Sequence, residues 1–212
     1  MAERFSSRTI NDGIIQRYLD QMTQQVGPQI KNADFPFTVK AISDDQCSVT
    51  HEPVALPAGY IFVPAALFLA AQDEAEFAGM LAQAMERSVL RQGLHRATNL
   101  QSLASIPLIF MGTGCSDDKM MVPLAAQGKT ATEADGLAVE ALAHAGFDPE
   151  GLSHYLERVQ PDRPDRAENI QYLLKLQPQA NYIVDGSQFD AVRQRVRSLT
   201  EHVRKMLTLE RQ

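Results

Sequence analysis

Residues Val54 to Gly93 read VALPAGYIFVPAALFLAAQDEAEFAGMLAQAMERSVLRQG, and the fold of the whole chain turns on this stretch. From Asp73 to Gln92 only Gly79 interrupts a run free of Gly and Pro, and Phe77, Met80, Leu81, Ala84, Met85 and Ser88 recur at three- and four-residue steps. That spacing is one apolar stripe of an amphipathic helix, predicted over Asp73 to Arg91. Asp73, Glu74 and Glu76 fall in its first turn, where the helix dipole favours negative charge. Glu86 lies nearly opposite the stripe and is expected to face solvent. In the first half, Gly59 to Val63 reads as a strand and Pro64 opens a short helix.

Gln83 and Arg87 lie four apart on one flank of the predicted helix. This is the spacing at which a metallopeptidase helix carries the two histidines of HExxH, with a glutamate base between them. Here the five residues are Gln83, Ala84, Met85, Glu86 and Arg87. LPAGYIFV, a short helix, DEAEFAGMLA, this five-residue segment and VLRQG together resemble the gluzincin family of the CAAX prenyl protease and HtpX, family forty-eight of the metallopeptidases. Further on, Ala131-Thr132-Glu133-Ala134-Asp135 and Ala145-Gly146-Phe147-Asp148-Pro149 resemble the family's ExEAD and AGYDP segments. Phe35 to Lys40 and Tyr182 to Val192 extend the likeness along most of the chain.

The resemblance implies an α+β, zincin-like single domain over residues 1–212, mostly helical with one small mixed sheet. It also implies a zinc site, and here the sequence departs from the family. The first histidine falls on Gln83, the catalytic glutamate on Ala84, the second histidine on Arg87 and the third ligand, a glutamate, on Ala131. Only Asp135, the family's outer-shell aspartate, is kept. Peptide hydrolysis by this route needs a zinc-bound water and a glutamate to take its proton. Glutamine is a poor zinc ligand, arginine cannot be one, and alanine offers no donor. The expected protein is therefore a pseudoprotease with no metal or other cofactor, binding an extended peptide or protein. The family's edge strand corresponds to Leu56, Pro57, Ala58 and Gly59. An active zinc-dependent endopeptidase and a structural or assembly protein are the alternatives.

Losing the metal should leave Asp135 in need of a counter-charge. Arg87 is expected either to pair with it, with Gln83 adding a hydrogen bond, or to point to solvent.

At 212 residues, 44% hydrophobic and 22% charged, the chain has ample material for one core. A net charge of −6 and dispersed basic residues, apart from Arg193, Arg195 and Arg197, argue against a nucleic-acid partner. Two cysteines, Cys47 and Cys115, make no disulfide framework, and a single bridge between them stays open. No two of His51, His95, His144, His154 and His202 stand three or four apart, so each reads as a surface or packing histidine. No GxSxG is present, and Gly112-Thr113-Gly114 lacks the lysine of a phosphate loop.

Apolar runs break well before the roughly 18 residues of a membrane span, and no signal-peptide pattern opens the chain. The resemblance implies a periplasmic or exported mature domain, whereas a chain complete as it stands implies the cytoplasm. Homo-oligomerisation is left open.

Elsewhere, Ile14, Ile15, Tyr18, Leu19, Met22 and Val26 predict a helix capped at Thr9 or Asn11 and stopped by Gly27-Pro28. Phe35 to Ser43 alternates as a strand, with a turn at Asp44-Asp45 and short extended pieces at Ser48 to Thr50 and Pro53 to Leu56. Ile106 to Met111 reads as a buried apolar segment in which Pro107 kinks or starts a helix. Helices follow at Thr130 to Ala145 and Pro149 to Val159, with Pro161 to Pro164 a solvent loop. From Ser187 to Leu209, Phe189, Val192, Val196, Leu199, Val203 and Met206 form a heptad seam short of three heptads. It predicts a helix packed on its own domain in preference to a dimeric coiled coil.

Overall fold

In the computed structural model, which describes residues 8–43, 51–98, 108–112, 119–123, 125–161, 164–175, 182 and 186–209, the first helix, α1 (Gly13–Val26), opens at Asp12. The cap is Asp12 and neither Thr9 nor Asn11, because its Oδ1 accepts from the backbone N–H of Ile14 and Ile15 at 3.0 and 3.1 Å. Ile15, Tyr18, Leu19, Met22 and Val26 are buried, but Ile14 is 48% exposed. At about 100° per residue, Ile14 falls outside the arc that Ile15, Tyr18, Leu19, Met22 and Val26 share.

Strand β1 (Thr38–Ile42) pairs in parallel with β3 (Tyr60–Pro64), and β2 (Val54–Ala55) pairs antiparallel with β3, giving the order β1-β3-β2. The far edge of β1 is covered by the chain before α1: Ile10 donates to the Ala41 carbonyl and Ser43 to that of Arg8, both at 2.9 Å. Val39, Ala41, Ile61 and Val63 turn to the main core, whereas Ile42, Leu56 and Phe62 form a small cluster of their own. Strand alternation thus supplies both clusters.

From Pro64 the chain enters α2 (Ala65–Ala70) and then α3 (Glu74–Thr98). Asp73 caps α3, its Oδ1 accepting from the Glu76 N–H at 2.9 Å, while the Glu76 carboxylate accepts from the Gln72 N–H at 2.8 Å. This reciprocal arrangement is close to a capping box. Every residue from Glu76 to Glu86 is buried. The predicted core helix, α3, is a central rod packed against α4 (Ala125–Ala145), α5 (Glu150–Val159), the β2 to β3 hairpin and α1.

Small residues let the helices approach. A Cβ added at Gly151 would lie 2.6 Å from the Ala75 carbonyl carbon, and one at Gly79 would lie 2.9 Å from the Leu152 Cβ. Around Phe77, rings from three other elements converge: Phe68 of α2 at 4.6 Å, Phe189 at 5.4 Å and Tyr18 of α1 at 5.7 Å between centroids.

Phe189 belongs to the last helix, α7 (Ser187–Leu209), in which Val192 and Val196 are also buried and Leu199 packs against the core. The first half of the heptad seam is spent within the domain. The side chains of Val203 and Met206, like Cys47, Cys115 and the Asp44-Asp45 and Ser48 to Thr50 segments, lie outside the described residues.

Two further expectations are corrected. Leu108 to Gly112 is a strand, β4 (Leu108–Gly112), paired antiparallel with β5 (Lys119–Pro123), so the described residues include a two-stranded ribbon as well as the three-stranded sheet. Mutual backbone pairing of two apolar runs replaces the helix that Pro107 had suggested. Within the predicted solvent loop, Pro164 is already the first residue of a further helix, α6 (Pro164–Leu174), where its fixed φ and missing N–H are tolerated. Among the described residues, no helix is long and apolar enough to cross a membrane.

Candidate functional site

α3 carries Gln83, Ala84 and Arg87 into the interior, and α4 brings Asp135 to meet them. Gln83 and Asp135 are both fully buried, and Ala84 is 1% exposed. The Gln83 amide Nε2 donates to the Asp135 Oδ1, while its Oε1 has no hydrogen-bond partner among the described residues. Ala131 lies on α4 four residues before Asp135, one helical turn away, with its side chain outside the described residues.

The guanidinium on Asp135 belongs to Arg166, and not to Arg87. Arg166 Nε reaches Asp135 Oδ2 at 2.9 Å and one terminal nitrogen reaches Oδ1 at 2.8 Å, a fork of two parallel hydrogen bonds. Arg166 is 3% exposed and sits in the first turn of α6, where the dipole disfavours a cation. Its proton is nonetheless held more tightly than usual: burial opposes the charge, and Asp135 more than offsets it. The other terminal nitrogen donates to Gln160 Oε1 at 2.7 Å and stands 3.7 Å from Glu52 Oε1.

Arg87 neither pairs with Asp135 nor points to solvent. It donates to Glu52 Oε2 at 2.9 Å, and its side chain is 14% exposed. Gln160 Nε2 donates to the other oxygen of Glu52. Burial pushes the Glu52 carboxyl toward the neutral form, but Arg87, Gln160 and Arg166 outweigh it and hold its pKa down at about 2. Two guanidiniums and two carboxylates, bridged by the Gln160 amide and ended by that of Gln83, thus form one charge-balanced network from Gln83 to Arg87.

This donor set does not suit a zinc ion. Gln83 presents its amide nitrogen to a carboxylate, and Arg87 is a fixed cation already engaged by Glu52. Both oxygens of Asp135 already accept hydrogen bonds, from Arg166 and Gln83.

Leu56, Pro57, Ala58 and Gly59, expected at a peptide-binding edge, form the turn between β2 and β3. Leu56 N–H donates to the Tyr60 carbonyl at 2.8 Å, Ser88 Oγ donates to the Leu56 carbonyl at 2.7 Å, and Gly59 N–H donates to Ser88 Oγ at 3.2 Å. These groups are bonded within the chain. Gly59 has φ +80°, and a Cβ there would lie 2.4 Å from the Pro36 carbonyl oxygen. The turn is therefore fixed to the site helix through Ser88.

Glu86 also departs from expectation. It is 1% exposed, with Oε2 unpartnered among the described residues, because α3 has no solvent face at this point. Burial, and secondarily the nearby Glu140 charge, push its pKa up to about 7, with Lys31 offsetting part of the rise. Of the histidines, His144 and His154 are exposed, and His51 is half-buried, its carbonyl accepting from Tyr155 Oη at 3.2 Å. The side chains of His95 and His202 lie outside the described residues.

Glu52, Gln160 and Arg166 went unrecognised in the sequence. Only Arg166 carried a visible anomaly: an arginine two residues after a helix-starting proline opposes the dipole, and calls for a carboxylate to hold it.

No protein-family model matches the chain. A Vibrio cholerae serotype O1 protein named "Putative beta-barrel assembly-enhancing protease" is 24% identical over 173 residues, covering 74% of this chain and 35% of that protein. The chain thus spans 35% of its relative's length. This distant similarity supports a resemblance to peptidases.

Proposed function

We propose that this chain is a metallopeptidase-like domain that has exchanged peptidase chemistry for binding a peptide or protein. The observation that carries the reading is the grip of Arg166 and Gln83 on Asp135. A site that keeps the family's outer-shell aspartate but neutralises it with a buried guanidinium and an amide has no need of a dication there. Ala84, in the core at the position of the family's base, has no group to take a proton from water. Residues 1–212 form one such domain in this reading, in a periplasmic or exported setting.

The relative's name refers to assembly as well as proteolysis, and an assembly role exercised through binding accords with a domain that does not cleave. Zinc analysis of the purified chain, with a casein-cleavage assay, tests the proposal. The expected result is substoichiometric zinc and no chelator-sensitive hydrolysis. Stoichiometric zinc with cleavage abolished by EDTA would establish the active endopeptidase instead.

A further inference from the structure

Glu52 precedes β2 in a short stretch of chain laid across the end of the network, and its side chain is 33% exposed. The groups around its carboxylate come from separate elements: Arg87 from α3, Gln160 from the residue that ends α5, and Arg166 from α6. Arg166 and Gln160 are bonded to each other apart from Glu52, and Arg87, whose side-chain bond is to Glu52, is positioned by its backbone on α3. Arg166 is fixed by two hydrogen bonds to Asp135 and one to Gln160, and Arg87 stands on a helix buried on all faces up to the preceding residue. Without Glu52, Arg87, Arg166 and Asp135 would leave one uncompensated positive charge beside an amide donor, at a point solvent can reach. Paired guanidiniums and an amide N–H are the groups that bind carboxylates by hydrogen bonding.

We propose that Arg87, Arg166 and Gln160 form a carboxylate-recognition site that Glu52 fills in cis, and that an acidic peptide occupies it in trans by displacing Glu52. The occupant already present is the template: a carboxylate borne on a short piece of chain that leads into a strand. The ligand chemistry is a carboxylate, from a peptide C-terminus or from an Asp or Glu side chain. This names the ligand class for the binding role proposed above, and rests on it for the biological occupant alone.

The test is rescue of Glu52→Ala by acetate. Melting temperature is followed in sodium acetate up to about 0.3 M against sodium chloride of equal ionic strength, so that general salt effects cancel. The variant should gain about 3 to 6 °C at about ten times the acetate Kd. The wild type and Glu52→Ala/Arg87→Ala should show no acetate-specific gain. If Glu52→Ala does not fold in chloride, its far-UV circular dichroism should return in acetate. The absence of an acetate-specific effect in either form of the measurement overturns the site. N-acetyl-dialanine with a free C-terminus, its C-terminal amide, and N-acetyl-glutamate amide then distinguish a terminal from a side-chain carboxylate. Zinc content and casein turnover do not enter this measurement, so the carboxylate site and the pseudoprotease reading can each fail alone.

Discussion

Arg166 meets Asp135 through two hydrogen bonds of 2.9 and 2.8 Å, with 3% of one residue and none of the other exposed to solvent. Removing one partner strands the other as a buried, unpaired charge. Arg166→Ala should therefore destabilise the fold by about 3 to 5 kcal/mol, whereas Arg166→Met with Asp135→Leu should cost clearly less than the sum of the single changes. Urea denaturation of the four proteins in the cycle reads this directly. Additive losses would mean that the pair contributes nothing beyond its separate residues.

Rebuilding the family motif should not rebuild activity. On the proposed correspondence, the triple variant Gln83→His, Ala84→Glu, Arg87→His would lack a third ligand at Ala131, and Arg166 would still hold Asp135. Freeing Glu52 from Arg87 also removes a contact that the present fold uses. The expected outcome is a less stable protein with no zinc-dependent cleavage of casein. Zinc-dependent turnover would show that Ala131 is not at the third ligand position.

Gly151, at the crossing of α3 and α5, and Gly13, at the open start of α1, should respond to alanine with opposite signs. Gly151→Ala places a methyl group 2.6 Å from backbone and should cost about 2 to 3 kcal/mol. Gly13→Ala, at the first position of α1 with nothing within 4 Å of the added carbon, should stabilise by about 0.5 kcal/mol. Equilibrium unfolding of both variants checks the pair.

Glu86 and Glu52 impose pH dependences of opposite sense. With the Glu86 pKa raised from 4.5 to about 7, the unfolded chain is ionised where the folded one stays protonated, so stability falls as pH rises from 4.5 to about 7 and then levels. The loss attributable to it is up to about 3 kcal/mol and should vanish in Glu86→Gln. The Glu52 contribution is fully present above pH 4.5 and disappears as pH falls toward about 2. Denaturant midpoints across that range, for the wild type and Glu86→Gln, separate the two.

Periodicity made the helices around Leu19, Met85, Leu142 and Phe189 legible, and alternation did the same for β1, because each of these signals depends on residues adjacent along one element. The burial of Glu86 was not legible. A period of 3.6 identifies the most apolar face, and it misses that α3 has neighbours on its other faces too, which Gly79, Gly151 and several alanines make possible. The partner of Asp135 was hidden for a related reason. A counter-charge for Asp135 was expected, from Arg87 on the same predicted helix as Gln83, but the packing of α6 on α4 delivers Arg166, which lies 31 residues beyond Asp135 in the chain. β4 was misread because the strand at Ile109 is defined by its partner at Val122, a relation no local window contains.

The enclosure of α3 sets where motion can arise. The amide protons of Met80 to Glu86 can meet solvent deuterium only when the surrounding helices and sheet separate, so they should exchange at the slowest rates in the molecule and report its global opening. A rearrangement that exposes Gln83 without unfolding the protein must then come from the chain draped over the rod. The stretch around Glu52 is tied down by side-chain hydrogen bonds to separate elements, which can break one at a time.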